Sequence, residues 1–263
     1  MTPLSLLVLG SCLAGVSSRP LLSRAEAAGQ CGELTAPWTR STAASVSGDR
    51  SRVYRLRVFG VSPDGASRLV FPEQPLFSFV RRVYRCCQIG HHCGAVKGLQ
   101  GRDTAGPVIE FVPSEDVWSA PILRAEVHLH ISNPDRLNVQ PVLPWLEKRL
   151  LPTKYSAWWK DGVLEVRVDL LFLFQALQAF KGRQGAYSVM EVQRIRGFHT
   201  LQAPEARPPE VQSGDRRAER PLQVPVELGL VLHCSTEEPN TPLPCESHGV
   251  QLLHTPFITL SYG

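Results

Sequence analysis

The 263-residue chain lacks the short patterns that carry common catalytic chemistry. It contains no Gly-x-Ser-x-Gly elbow, no His-Glu-x-x-His, no P-loop and no Gly-x-Gly-x-x-Gly fingerprint. Carboxylates are plentiful, but nothing in the sequence brings two of them together as an acid/base pair. The chain is therefore expected to be no enzyme and to need no cofactor. A strong charge of one sign is lacking too: 28 Lys and Arg against 24 Asp and Glu leave +4, with the basic residues scattered. That balance does not point to nucleic acid. Beyond the first segment there is no membrane-length apolar run. The longest, Val168 to Phe180, has 13 residues and includes Asp169, where about 20 are needed. No membrane anchor is expected. Asparagine glycosylation is not expected either, because Asn133, Asn138 and Asn240 all miss the Asn-x-Ser/Thr pattern.

Glycine (20) and proline (22) are, by contrast, plentiful, above the usual share of about 12%. They favour short strands joined by turns over a helical bundle. With 43% hydrophobic residues the chain can bury a real core, as one large domain or two small ones. Residues 1–18 open with Leu4-Ser5-Leu6-Leu7-Val8-Leu9 and close on Val16-Ser17-Ser18. An apolar run ending in small residues reads as a secretory signal peptide, so the product is expected to be secreted and extracellular.

Of seven cysteines, Cys12 leaves with that leader, and six remain for an oxidising compartment. Six cysteines allow fifteen pairings. Cys234 and Cys245 bracket a polar, turn-rich segment and are expected to close a hairpin as a disulfide. The pairing of Cys31, Cys86, Cys87 and Cys93 is left open. Cys86-Cys87-Gln88-Ile89-Gly90-His91-His92-Cys93 is too crowded for two zinc knuckles, and disulfides are the preferred reading there. His128 and His130 sit two apart on the polar side of a strand and are read as solvent-facing rather than as metal ligands. Arg216-Arg217-Ala218-Glu219-Arg220 holds an Arg-x-x-Arg spacing but is followed by Pro221, and is read as a solvated loop.

Periodicity organises the rest. Residues 19–70 show no sustained period and read as a flexible arm. Leu76, Phe79, Val80, Val83 and Cys87 recur at three- and four-residue spacing, an amphipathic helix with a basic outer face that Gly90 stops. Ala125 to Ile131 and Leu164 to Leu170 alternate apolar and polar, as half-buried strands do. Leu228 to Cys234 and Phe257 to Leu260 are weaker strands, and Leu171 to Phe180 is helical in composition. Residues 202–222 read as a linker loop. The expected fold is mainly β with a few short helices, an antiparallel β-sandwich over 71–263. Its core is expected to include Val127, Leu129, Val166, Val168, Leu230 and Phe257.

The ordered series resembles a known family. Phe111-Val112-Pro113-Ser114-Glu115-Asp116-Val117-Trp118, running into Ala125-Glu126-Val127-His128-Leu129, is similar to the strand, acidic turn and strand of transforming growth factor-β superfamily propeptides. Leu164-Glu165-Val166-Arg167-Val168-Asp169 feeding an apolar helix resembles that family's second hallmark, and Gly229 to Cys234 and Pro256 to Leu260 resemble its last strands. The likeness spans about residues 70–263, and the sequence closes without the C-terminal cystine-knot ligand. It implies either part of a growth factor precursor or a stand-alone binder that chaperones or shields a growth factor dimer. On that reading Leu76, Phe79, Val80, Val83 and Tyr84 form the partner-binding face, with a homodimer, disulfide-linked or not, among the assemblies left open. The competing reading is a secreted β-sandwich adhesion or carbohydrate-binding module unrelated to growth factors.

Overall fold

The computed structural model describes residues 31–32, 34, 36–41, 51–60, 70–90, 94–104, 106–182, 225–237 and 241–263. Residues 1–18, expected as a leader, most of 19–70, expected as an arm, His91, His92, Cys93, and residues 202–222 with Arg216 to Arg220, expected as a linker, lie outside the described residues. In chain order the strands begin with β1 (Thr39–Arg40), β2 (Arg52–Val58), β3 (Val96–Gln100), β4 (Arg102–Asp103), β5 (Val108–Phe111), β6 (Ile122–Ser132) and β7 (Asn138–Val142). They continue with β8 (Lys154–Lys160), β9 (Val163–Asp169), β10 (Val226–Ser235), β11 (Pro242–Leu243), β12 (Gln251–Leu252) and β13 (Phe257–Tyr262). The helices are α1 (Gln74–Gln88), α2 (Pro144–Glu147) and α3 (Leu171–Gly182).

The fold is mainly β with a few short helices. One sheet runs β1-β8-β9-β6-β13-β3, with β12 added to β6, and the other runs β11-β10-β2-β5-β4, with β7 added to β10. The strand pairs of the described residues are antiparallel except β2 with β5. Alternation along β6 and β9 sets one face. Val127 lies opposite Val168, Leu129 opposite Val166 and Ile131 opposite Leu164, so one stripe of aliphatic side chains points the same way. That stripe packs with Ile258 and Leu260 of β13 against Leu56, Val58, Phe111, Leu228, Leu230 and Leu232 of the second sheet, in one continuous core.

Local chemistry explains the connections. Asp161 (φ 50°) and Gly162 (φ 80°) form the two-residue turn between β8 and β9, the Asp-Gly pair that such hairpins favour. Pro141, which has no N–H for a ladder, sits in β7, which pairs with β10 on one side only. The Asp169 carboxylate accepts the Leu171 N–H at 2.9 Å and starts α3. Leu173, Phe174 and Leu177 of α3 then join the inter-sheet core. The last hairpin closes with a Cys234–Cys245 disulfide.

Two readings need correction. Strand β2 lies inside the stretch expected to be a flexible arm. Tyr54, Leu56 and Val58 face the core while Arg55 and Arg57 face out, and Arg57 Nε donates to Glu227 of β10 at 2.8 Å. Burial of one face and the cross-strand ion pair on the other hold it as a strand between β10 and β5. Phe257, expected in the inter-sheet core, is buried on the opposite face with Leu76 and Phe79. Its register partner in β6 is His128, which points to the same side.

Candidate partner-binding helix and the charged layer beneath it

Helix α1 lies on the outer face of the first sheet. Pro75 occupies its first turn, where a missing N–H costs nothing. Its approach is anchored by Glu73, whose backbone N–H donates to Gln100 Oε1 (2.9 Å) and whose carboxylate accepts the Thr255 N–H (3.2 Å). Gly98 of β3 makes room for it, because a Cβ there would stand 2.5 Å from Leu76 Cδ1. At the other end Cys86 is bridged to Cys31, a cross-link of 55 residues that ties the 31–41 segment to the helix. Cys87 is also disulfide-bonded.

The structure divides the five residues expected to meet a partner. Leu76 and Phe79 are buried against the protein's own sheet, and Val83 is half-buried beside them. The Phe79 ring lies 4.8 Å edge-on from His128 and 5.8 Å from Phe257. Val80 and Tyr84 are exposed, and so is Phe77, one turn before Val80 and outside the expected face. At about 100° per residue, Leu76, Phe79, Val83 and Cys86 share an arc of about 80°, while Phe77, Val80 and Tyr84 share the adjoining ~60°. The apolar side of α1 is thus about twice as wide as the contact it makes with the sheet. Arg81 and Arg85 border the outward stripe on the side away from the sheet contact, and Phe71 stands exposed just before the helix.

Beneath α1 the polar side of the strands is not open to solvent. Glu126, His128, Glu165, Arg167 and Thr259 are all buried. The expectation of solvent-facing histidines fails for His128, because α1 covers this face together with Leu34, Ala36 and Trp38. Arg167 is the hub. Its guanidinium approaches Glu126 (3.4 Å), donates to Ser156 Oγ (3.0 Å) and to the Leu34 carbonyl (3.1 Å), and lies 5.0 Å from the Trp158 ring. Arg124 pairs with Glu126 at 2.6 Å, and Arg82 of α1 reaches Glu165 at 3.6 Å. His128 stacks on Phe257 at 4.5 Å and meets Thr259 Oγ1 at 2.9 Å. Burial, reinforced by the Arg167 charge, pushes the His128 pKa well below the usual histidine range. Burial also lowers His130, although Glu165 opposes that shift.

A cavity of about 140 Å³ remains where Leu34, Phe79, Val83, Arg124, Glu126 and Arg167 meet. Among the described residues, no three His, Cys, Asp or Glu side chains converge as a metal would require. No helix among them is long and apolar enough to cross a membrane. A second concavity, about 500 Å³, opens between the sheets at the other side of α1's start and is lined by Arg52, Tyr54, Glu73, Asp103, Thr104 and His254 among others. Comparison of the chain with protein-family models, curated proteins and solved structures found no match.

Proposed function

We propose that the chain is a propeptide-like extracellular protein, similar to those of the transforming growth factor-β superfamily, that shields or chaperones a growth factor dimer through α1. The observation that carries this reading is the outward stripe of Phe77, Val80 and Tyr84 on a helix already fixed from behind by Leu76, Phe79 and the Cys31–Cys86 bridge. A helix held rigidly loses little freedom on binding, and its free apolar side suits a partner groove in the helix-in-groove manner. Arg81 and Arg85 at its margin suit an acidic rim. The Cys31–Cys86 and Cys234–Cys245 disulfides fit an oxidising compartment, as secretion requires.

The test is capture of superfamily dimers by the full chain, with and without Val80→Asp and Tyr84→Ala. Each substitution is expected to weaken capture by about 1–3 kcal/mol, with thermal unfolding unchanged. Failure of the wild-type chain to capture any dimer overturns the reading. The carbohydrate-binding alternative draws on the 500 Å³ concavity, where Glu73 and Asp103 offer carboxylates to sugar hydroxyls. Glycan-array binding abolished by Asp103→Ala would favour it.

A further inference from the structure

A second exposed apolar feature stands far from α1, at the end of α2, and its backbone is unusual. The Leu150 N–H donates to the Glu147 carbonyl at 2.8 Å and the Leu151 N–H to the Leu146 carbonyl at 3.0 Å, the pair of bonds that ends a helix in a left-handed turn. The left-handed residue of that turn is Leu150, at φ 58°. Glycine is usual there because a Cβ is strained in that conformation. Leu150 gains nothing from packing in return, since it is 95% exposed, and Leu151 beside it is 51% exposed. A strained backbone that delivers a bare leucine to solvent points to a contact outside the chain.

The surroundings name the occupant. Lys148 and Arg149 precede the two leucines, Lys154 follows them, and Arg40 of β1 lies opposite Lys154 in register. All four are exposed; Asp169 lies 4.0 Å from Lys154, and Glu147 adjoins Lys148 in the sequence. The knob is also stiff at its root, where Arg149 lies 3.8 Å over the Trp145 ring and Trp145 stacks on Phe172 at 5.1 Å. Two adjacent leucines are far too small for a stable protein interface, which buries about 800 Å² per partner around aromatic anchors. An apolar tip inside a collar of cations is instead what a lipid surface receives: the leucines enter the acyl boundary and the cations meet headgroup phosphates and carboxylates.

We propose that the Leu150–Leu151 knob with its Lys148, Arg149, Lys154 and Arg40 collar is a peripheral docking site for an anionic membrane surface. This is independent of the growth factor reading. The test is co-sedimentation of the full chain with phosphatidylcholine vesicles with and without phosphatidylserine. Wild type is expected to bind the anionic vesicles, increasingly as salt is lowered. Leu150→Gly is expected to cut binding while leaving the Tm unchanged or higher, because it removes both the apolar tip and the strain. Leu150→Asn with Leu151→Asn should lower partitioning about tenfold or more, and Lys148→Gln with Lys154→Gln should flatten the salt dependence. Leu253→Asn, at an exposed leucine outside the knob, should bind as wild type does. A wild-type chain that stays in the supernatant with both vesicle types overturns the proposal. Binding unaffected by the double asparagine variant overturns it equally.

Discussion

The two faces of the first sheet come from the same strands and are buried by different means. Toward the second sheet, Val127, Leu129, Val166 and Val168 meet other aliphatic side chains and nothing polar needs a partner. Toward α1, one residue along in each strand, Glu126, His128, Glu165 and Arg167 are equally hidden but must be matched charge for charge. A dry face is forgiving of chemistry and strict about volume. A charged face is the reverse: an intact pair adds little net stability, and half a pair costs a great deal.

The sharpest way to break this contrast is Arg167→Ala. Only 2% of its side chain is exposed, and its loss leaves the buried Glu126 facing Arg124 at 2.6 Å and the neutral His128 at 3.8 Å, so a loss of about 3–5 kcal/mol is expected in chemical denaturation. Replacing both members, Arg167→Met with Glu126→Gln, should recover most of it. No such rescue exists for Leu129→Ala on the dry face. A smaller effect, about 2–3 kcal/mol, is expected when Cys234 and Cys245 are both changed to serine, since their bridge closes a loop of 11 residues. Guanidinium midpoints read both changes.

Acid should distinguish the faces as well. His128 is held neutral in the fold, with a pKa below its unfolded value near 6.5. The unfolded chain therefore takes up the proton first, and stability is lost as pH falls below about 6.5, by up to about 1.4 kcal/mol per pH unit. The loss ends once pH passes below the folded pKa. His128→Leu should flatten this part of the profile between pH 7 and 5. An unchanged slope in that variant would place the acid sensitivity elsewhere.

What was legible in the sequence follows the same division. The period-two stretches in β6 and β9 and the stripe on α1 announce themselves because each needs only its own residues to be read. Strand β2 does carry a signal of its own, since Tyr54, Leu56 and Val58 alternate with Arg55 and Arg57, but it is a short one inside a stretch otherwise without period. The Asp161-Gly162 turn was an available signal for the β8–β9 hairpin. The charged layer was not available. Whether Glu126 and His128 face water depends on α1, and nothing in β6 encodes that a distant helix will lie over it. Likewise the width of the α1 stripe was visible, but which half the sheet would take was decided by Gly98, Phe257 and the Cys31 bridge.

The seating of α1 also sets the order in which the molecule can be built. The Glu73 carboxylate at the helix start is bonded to the Thr255 N–H, 182 residues further along, and the β2–β10 ion pair spans 170. Neither the helix seat nor the pairing of β2 with β10 can form until residues 226–262 have left the ribosome. A chain made from its N-terminus therefore carries Phe79, Leu56 and Tyr54 uncovered until β10 and β13 have emerged. Contacts of such separation make folding slow and leave sticky surface exposed meanwhile. A newly made chain of this design spends its vulnerable period waiting for Phe257, and holding factors that cover α1 during that wait should raise its yield.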